Sequence, residues 1–596
     1  MKSGFTDRIK RIFSGRIWDV VIFCILILYP LRHSAEGLDL WDAGYNCANF
    51  VSPGPDRMSS VWYFSTILAT RIGHIFTLLP YGRTYIGLNI YAGLIISAGV
   101  CLSYLFMVRK AGMNKWAAAL GMLIMMSMCY SPVTIVYTHL SGVLLTLAII
   151  CIYMGLTEEK GYCLIFAGFI LGLNVFVRFS NLVQAALIIA VWVYVFISEK
   201  KGKEGEVFKK CLHLTLKCMA GYLLAVITVL LIIHTVYGAD EYFRGVMGLF
   251  NMDSGADYYT FSYMLKDMLI SYLRGMYRFL FIAVAFAVLY ALSGIVRSVK
   301  TRLLTGAVTV TAILVFICIR GLLQFDFYHY AVAYNTAALY LDIVMMFALF
   351  TFFSSPKKEE RLLAMLILLQ IMLTSVGSNT GISVTMNSMY LTGPYLILKV
   401  TGIKDMIPEE NRERLMMPVY AARLILACFI LQAVLFGISY VYQEGNNTGA
   451  RDSFVTGNEV LKGVRMSSER AGMLQDMTDY MNANGLTGHD SVIYGFVPAI
   501  AYYLDMPSVI SCWPDLASYN PQDMNKDLKR VISEAKEGRR EYPVLIIGDL
   551  LKTSGIDENP EKTGLIYDLA HDNGYIMTHS NETFEVWEKN GGLTGR

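Results

Sequence analysis

The chain has 596 residues, of which 55% are hydrophobic and 16% are charged, and its mean hydropathy is +0.47. A soluble protein would carry about a quarter of charged residues, so the composition excludes an ordinary soluble globular protein. The formal net charge of +3 is small, and the distribution of Lys and Arg along the chain is more informative than their sum.

The apolar residues fall into runs of about 20 residues, the length that a helix needs to cross a bilayer core. Lys and Arg cluster in alternate connections, such as 109–115 and 200–210, and are absent from 131–141 and 322–333. Because cytoplasmic loops collect Lys and Arg, this alternation predicts a multi-pass plasma-membrane protein with a cytoplasmic N-terminus. The predicted spans, about thirteen α-helices, are 17–32, 84–107, 116–135, 138–156, 162–178, 181–198, 214–237, 277–296, 303–321, 333–353, 362–376, 388–402 and 418–441.

Two connections on the outer side are long, 33–83 and 238–276. Within the first, 60–80 is apolar but carries Arg71 and His74, and counting it as a span would break the charge alternation. We therefore expect an amphipathic helix lying on the outer surface, with a true span as the alternative. In the second loop, Tyr258–Arg274 is also amphipathic.

The chain changes character at about residue 442, where charge rises and the apolar runs shorten to strand length. This predicts two units, a transmembrane domain over 1–441 and a small extracytoplasmic α/β domain over 442–596. The predicted elements of the second unit are strands at 491–496, 507–511 and 542–549, a helix at 522–538 and a closing hairpin at 575–589.

Two carboxylates follow the first predicted span, Asp39 and Asp42 in "GLDLWDAGYNCANF" (37–50). On a helix the two acids would share a face, whereas in an extended loop they would point differently. A carboxylate in a water-poor place can act as a general base on a hydroxyl group. The alternative is an ordinary solvated loop. The two carboxylates could also bind a divalent metal ion. Two acids alone supply too few ligands for a metal site to be predicted, and the sequence predicts no other cofactor.

Eleven cysteines lie mostly inside apolar runs, where they behave as small hydrophobes. Only Cys47 and Cys512 fall in predicted outer segments, and we expect two free thiols there rather than a disulfide bridge.

An acid in the first outer loop, a long loop after the seventh span and an outer α/β domain together resemble the layout of the GT-C superfamily. These membrane glycosyltransferases use polyprenyl-phosphate-linked sugars and include protein O-mannosyltransferases and aminoarabinose transferases. Their motif has Asp-Glu followed by aromatic residues. In "WDAGYN", Asp42 and Tyr45 match, while Ala43 stands where the family has Glu.

The resemblance implies that Asp42 deprotonates or orients an acceptor hydroxyl, which attacks the anomeric carbon and inverts it, with Asp39 as a possible helper. The leaving group would be a lipid phosphate, which suits the planar donor fork of arginine. The candidates for binding this phosphate on the outer side are Arg178, Arg244, Arg274, Arg278 and His329. The alternative for each is a contact with lipid headgroups or the protein surface.

Aromatic and small polar residues are the candidates for binding substrate: Tyr45, Tyr328, Ser378 and Asn379. The last two lie in the uncharged stretch "SVGSNTGISVTMNSMY" (375–390), whose Gly377 and Gly381 permit tight turns that could present amides to phosphate or sugar. A plain polar turn is the alternative reading of that stretch, and an aromatic belt that of Tyr328.

The sequence thus predicts a membrane glycosyltransferase that moves a sugar from a polyprenyl-phosphate donor to a lipid or cell-envelope glycan acceptor. Its partners would be that donor, that acceptor and the bilayer, with no nucleic acid. A transporter or flippase of lipid-linked sugars is the first alternative, although the spans carry few internal charges and no repeat is visible. A non-catalytic GT-C-like envelope protein is the second, because the motif lacks its Glu.

Overall fold

A computed structural model of the chain describes residues 15–55, 57–199, 204–250, 261–295, 298–324, 326–378, 380–402, 412–442, 450–516, 519–549 and 559–591. Helices dominate up to residue 439. They are α1 (Arg16–Leu28), α2 (Asp42–Val51), α3 (Ser60–Ser65), α4 (Ile67–Thr77), α5 (Tyr85–Arg109), α6 (Lys115–Met128), α7 (Val136–Thr157), α8 (Gly161–Val177), α9 (Ile188–Ser198), α10 (Glu204–Tyr237), α11 (Ala239–Gly248), α12 (Phe261–Ile295), α13 (Val299–Ile319), α14 (Tyr330–Ser354), α15 (Lys358–Thr374), α16 (Thr392–Gly402) and α17 (Arg412–Ser439). Short 3-10 segments cover Tyr29–Leu31, Phe179–Leu187 and Gly381–Ser388.

Each predicted span overlaps one of these helices, which confirms the apolar pattern as helical, although the first part of 181–198 is the 3-10 segment Phe179–Leu187. Seven helical stretches of the described residues are long and apolar enough to cross a membrane. They are Tyr85–Arg109, Val136–Thr157, Phe179–Ser198, Gly205–Tyr237, Ser262–Leu292, Tyr330–Ser354 and Pro418–Ser439. At the other predicted spans, α1, α6, α8, α15 and α16 are shorter than the roughly 20 residues that a bilayer core requires. α13 has 21 residues, of which Leu304–Ile319 form the described apolar part, so thirteen crossings stay a prediction.

Both long connections differ from their predicted form. The segment 60–80 is not one helix, because the backbone breaks at Thr66 between α3 and α4. The loop 238–276 is interrupted by α11, and from Phe261 onward it belongs to α12, a continuous helix of 35 residues that runs into the predicted span. Residues 258–260 of the predicted amphipathic segment lie outside the described residues. The predicted boundary at 276 therefore marks no break in the backbone.

We refer to the described residues from 450 onward as the C-terminal domain. They contain α18 (Ser468–Ala483), α19 (Ile500–Tyr503), α20 (Pro521–Lys536) and α21 (Pro560–Asp572) around a four-stranded sheet. Its strands are β1 (Ser491–Tyr494), β2 (Val544–Gly548), β3 (Tyr575–Ser580) and β4 (Phe584–Lys589), in the order β1-β2-β4-β3. β1 and β2 are parallel, and β4 is antiparallel to both β2 and β3. The predicted strand at 507–511 is wrong, since only Ser508 forms an isolated bridge to Ser491.

The two faces of this sheet bury different partners. On one face, Val492 and Leu545 pack with apolar residues of α20 and α21. On the other, Ile493 and Ile546 belong to a cluster that also contains Leu38 and residues at the adjoining ends of the bundle helices. Burial on both faces explains why β1 and β2 are continuous apolar runs rather than alternating ones. It also fixes the domain against residues 33–51, at what we call the domain end of the bundle.

Candidate functional site

Asp39 and Asp42 stand at the start of α2 with different surroundings. Asp39 is only 2% exposed, and its Oδ1 and Oδ2 accept hydrogen bonds from the backbone N–H groups of Trp41 (2.7 Å) and Ala43 (2.6 Å). These are free N–H groups of a first helical turn, and a carboxylate there is favoured by the helix dipole. Asp39 thus holds the beginning of the helix, and both its oxygens are occupied by the backbone.

Asp42 is the first residue of α2 and is half-buried. Its Oδ2 accepts a hydrogen bond from the Tyr442 hydroxyl at 2.8 Å. Burial raises the pKa of Asp42, and the Tyr442 hydrogen bond opposes this rise. Burial, with the charge of Asp42, also raises the pKa of Asp39 to about 7. The two acids therefore have different roles. Asp39 accepts backbone hydrogen bonds at the start of α2, whereas Asp42 carries the more accessible carboxylate.

The C-terminal domain forms hydrogen bonds and an ion pair with the segment that carries these acids. Arg465 pairs with Glu36 through side chains, and its carbonyl accepts from the N–H of Gly37 at 2.8 Å. The Tyr503 hydroxyl donates to the Asp39 carbonyl at 2.7 Å. At Gly44 the domain approaches so closely that a Cβ would lie 2.0 Å from that of Ala499. The position of α2 therefore depends on the C-terminal domain.

Five tyrosines form a cluster beside Asp42. Tyr442, which donates to Asp42, lies 6.3 Å from the ring of Tyr130 between centroids. Tyr130 is stacked on Tyr330 at 5.5 Å and meets the edge of Tyr334 at 5.0 Å. Tyr440 completes the cluster, 6.4 Å from Tyr330. Aromatic faces of this kind can stack on sugar rings, and here they adjoin a carboxylate.

The polar stretch 375–390 connects this tyrosine cluster to Arg178. Ser383 Oγ donates to the Tyr334 carbonyl at 3.4 Å, and Arg178 Nη2 donates to the Gly377 carbonyl at 3.1 Å. The Arg178 guanidinium also lies 5.8 Å from the ring centre of Tyr137. Two features that the sequence singled out separately, Arg178 and this stretch, are thus brought into contact. Asn379 lies outside the described residues.

Three of the other predicted phosphate ligands are engaged with carboxylates. Arg278 Nη1 contacts Asp342 Oδ2 at 3.1 Å inside the bundle, where both side chains are largely buried. Arg244 contacts Glu241 at 3.2 Å on α11. His329 contacts Asp326 at 2.7 Å at the start of α14. Arg274 is exposed on α12. Within the described residues, none of these four side chains forms a hydrogen bond or ion pair with Asp42, although His329 directly precedes Tyr330 of the tyrosine cluster.

The predicted substrate-binding residues also separate. Tyr45 is buried between α2 and the C-terminal domain, with its ring against the edge of Trp513 at 5.3 Å, so it packs the interface. Tyr328 is exposed beside His329, and its backbone N–H donates to Asp326. Ser378 is buried next to Gly377, with its Oγ 2.9 Å from that of Thr380. Of these residues, Ser378 lies close to the Arg178 contact.

A pocket that the sequence reasoning missed lies next to Asp42. The space between its walls measures about 760 Å³ when the open solvent at its mouth is included. The lining residues include Arg32, His33, Ser34, Asp39, Tyr440 and Tyr442. We call it the Arg32 pocket. The sequence placed Arg32 at the end of a span, where charged residues are expected. The run Arg-His-Ser directly after an apolar segment was the available signal.

The described residues contain no group of three or more His, Cys, Asp or Glu side chains that could hold a metal ion. Cys47 and Cys512 are both buried free thiols, as expected.

No protein-family model matches the chain, and a comparison with curated proteins finds no match. Among solved structures, the chain is similar to the apo form of the Archaeoglobus fulgidus oligosaccharyltransferase, with a TM-score of 0.44 and 11% sequence identity. The alignment covers 97% of this chain and 75% of that one. The function has to be argued from the site itself.

Proposed function

We propose that the protein is a membrane glycosyltransferase of the GT-C type, which transfers a sugar from a polyprenyl-phosphate donor to a hydroxyl group of a lipid or cell-envelope glycan. The domain end of the bundle would face the outside of the plasma membrane. The observation that carries the proposal is the tract from Asp42 through the tyrosine cluster to Arg178, which joins a carboxylate, aromatic faces and a guanidinium at one end of the bundle.

In the proposed reaction the acceptor oxygen attacks the anomeric carbon of the donor sugar. The bond between that carbon and the phosphate oxygen breaks, the lipid phosphate leaves with the electron pair, and the acceptor proton passes to Asp42. A single displacement inverts the anomeric centre. Arg178 would bind the leaving phosphate, because within the described residues its guanidinium donates only to the Gly377 carbonyl. A phosphate can take its remaining N–H donors in pairs.

The test is transfer in membranes supplied with a panel of polyprenyl-phosphate sugars. We expect Asp42→Asn to lower transfer by about 10²- to 10⁴-fold, the usual contribution of a general base. Asp240→Asn, an exposed acid on α11, is the matched control and should retain activity. Full transfer by Asp42→Asn, expressed and inserted like the unaltered protein, would exclude Asp42 as the base.

One observation favours the transporter alternative, namely the buried ion pair of Arg278 and Asp342 inside the bundle. Charged residues within spans commonly mark transport pathways. The double variant Arg278→Gln/Asp342→Asn separates the two functions, because a transferase needs this pair only for packing. Loss of lipid-linked sugar movement across proteoliposomes, with binding of the sugar retained, would favour the transporter.

A further inference from the structure

The Arg32 pocket is separated from Asp42 by one side chain. Tyr442 lines the pocket and also donates to Asp42, and Asp39 is a further lining residue. A ligand in this pocket would therefore lie close to the carboxylate, and neither Arg178 nor its contacts Gly377 and Tyr137 are among the lining residues. The charges and hydroxyl groups of the pocket indicate which kind of ligand it fits.

The charge of Arg32 is compensated by backbone. Its guanidinium donates to the carbonyl oxygens of Tyr29 (3.1 Å), Met126 (3.4 Å) and Gly437 (2.5 Å). These carbonyls lie at the C-terminal ends of α1, α6 and α17. A helix C-terminus carries a partial negative charge of about half a unit, so three such ends balance the cation. Arg32 has no need of an anionic ligand.

The other charges of the pocket are paired as well. Glu36 contacts His33 Nδ1 at 3.1 Å and also pairs with Arg465 of the C-terminal domain. His33 Nε2 lies 3.0 Å from the Gly437 carbonyl. Asp39 is held by two backbone N–H groups. Among the described residues, the charged groups of the pocket are therefore all engaged with the protein itself.

Two hydroxyl groups remain without a partner. Ser34 Oγ and Tyr440 Oη are buried and make no hydrogen bond within the described part of the chain, although their residues are only 9% and 5% exposed. A buried polar group left unpaired costs free energy, so such groups in a pocket point to a ligand that supplies the bonds. A hydroxyl both donates and accepts, which matches hydroxyl groups of a ligand.

We propose that the Arg32 pocket binds the acceptor, and that this acceptor is an uncharged, hydroxyl-rich sugar. Ser34 and Tyr440 recognise its hydroxyl groups, and the attacking hydroxyl is presented to Asp42 next to the Tyr442 hydroxyl, which occupies only Oδ2 of that carboxylate. The phosphate of the donor stays on the Arg178 side. This inference rests on the proposed function for the direction of transfer, but the binding of a neutral sugar can be measured without any reaction.

The experiment uses saturation-transfer difference NMR on the full-length protein in lipid nanodiscs, without donor. The probes are the methyl glycosides of glucose, galactose, mannose and arabinose, together with glucose 6-phosphate as the charged counterpart. We expect at least one neutral glycoside to bind in both the unaltered protein and Asp42→Asn, and glucose 6-phosphate not to compete with it. Loss of one hydrogen bond predicts about three- to tenfold weaker binding in Tyr440→Phe.

The matched control is Tyr420→Phe, whose side chain is 55% exposed on α17 and distant from the pocket lining. It should bind the glycoside like the unaltered protein. The proposal is overturned if no glycoside of the panel binds, if the phosphorylated sugar binds as well as the neutral one, or if Tyr440→Phe binds unchanged. If the protein binds a neutral glycoside but transfers no sugar, the proposed transferase function is refuted. The proposal that the Arg32 pocket binds a neutral sugar then still stands.

Discussion

Arg32 and Arg178 lie at the same end of the bundle, each directly after an apolar helix, yet their surroundings differ. Arg32 donates to three backbone carbonyls, whereas Arg178 donates to one, that of Gly377. Arg32 therefore joins three helix ends and is part of the scaffold. Within the described residues the other guanidinium donors of Arg178 have no hydrogen-bond acceptor, which is why we propose this residue for the donor phosphate. Two arginines at similar positions in the sequence therefore differ in role, and the number of backbone carbonyls to which each one donates distinguishes them.

Removing Arg32 should have the largest effect, and on stability. Arg32→Met deletes three charge-assisted hydrogen bonds from the guanidinium, each worth about 1.5–3 kcal/mol. The Tyr29 carbonyl keeps the backbone N–H of residue 32, and His33 Nε2 stays beside the Gly437 carbonyl. We expect a loss of at least about 3 kcal/mol, seen as a lower melting temperature in detergent and poor recovery of folded protein. Arg178→Met is the control and should lose about 1.5 kcal/mol, for one carbonyl. Equal melting temperatures for the two variants would contradict the comparison.

Removing Arg178 should act on transfer instead. We expect Arg178→Gln to lower kcat/KM for the lipid-phosphate donor by about 100-fold, or about 2.7 kcal/mol of transition-state binding. Arg178→Lys should recover part of this, because it keeps the charge and loses the planar fork. Arg244→Gln serves as the matched control, since Arg244 is exposed and paired with Glu241, and should stay within twofold. Transfer by Arg178→Gln within threefold of the unaltered protein would refute the phosphate role.

Local sequence patterns predicted most helices and strands, but not the contacts between distant parts of the chain. Runs of about 20 apolar residues located the helices at the predicted spans but not α2 or α11. The apolar runs at 491–496 and 542–549 located β1 and β2, because local patterns determine local structure. The run at 507–511 failed because it meets β1 only at Ser508 and never forms a ladder. The contact of Arg178 with Gly377 spans 199 residues, and no local pattern encodes such a distance.

The two acids illustrate the same limit within one short stretch. Their spacing left open whether they share a helix face, and the structure decides it, because α2 begins at Asp42 and excludes Asp39. Ala43, where the GT-C motif has Glu, is 1% exposed and its N–H is bound by Asp39. A glutamate side chain would have to enter the core there. The acid that stabilises the helix start therefore comes from position 39.

The raised pKa values of these acids predict two opposite pH dependences. Asp39 has a pKa of about 7 in the folded protein, above its ordinary 3.8. The folded state thus binds more protons than the unfolded state between these values, and the free energy of unfolding should fall as pH rises from about 4 to about 7. Melting temperatures measured across that window should decline, and Asp39→Asn should flatten the decline. An unchanged slope in Asp39→Asn would assign the effect to another group.

Transfer should show the reverse trend, because a base works only when deprotonated. The raised pKa of Asp42 places the acidic limb of the kcat/KM profile above the pH at which an ordinary aspartate titrates, about 3.9. Transfer therefore increases with pH while stability decreases. A profile flat from pH 4 upward would show that Asp42 does not limit the reaction.

Removing the Tyr442 hydroxyl should have the smallest effect on transfer. Tyr442 is the side chain that lines the Arg32 pocket and also begins the tract from Asp42 to Arg178. Tyr442→Phe removes one hydrogen bond to the Asp42 carboxylate, worth about 1 kcal/mol, so transfer should fall about three- to tenfold. The same bond holds the pKa of Asp42 down, so the acidic limb should move to higher pH in this variant. Tyr420→Phe, on the exposed surface of α17, should leave both unchanged. A lower rate without any shift of the acidic limb of the kcat/KM profile would mean that Tyr442 only packs against the site. Tyr442 would then not link the Arg32 pocket to the carboxylate of Asp42.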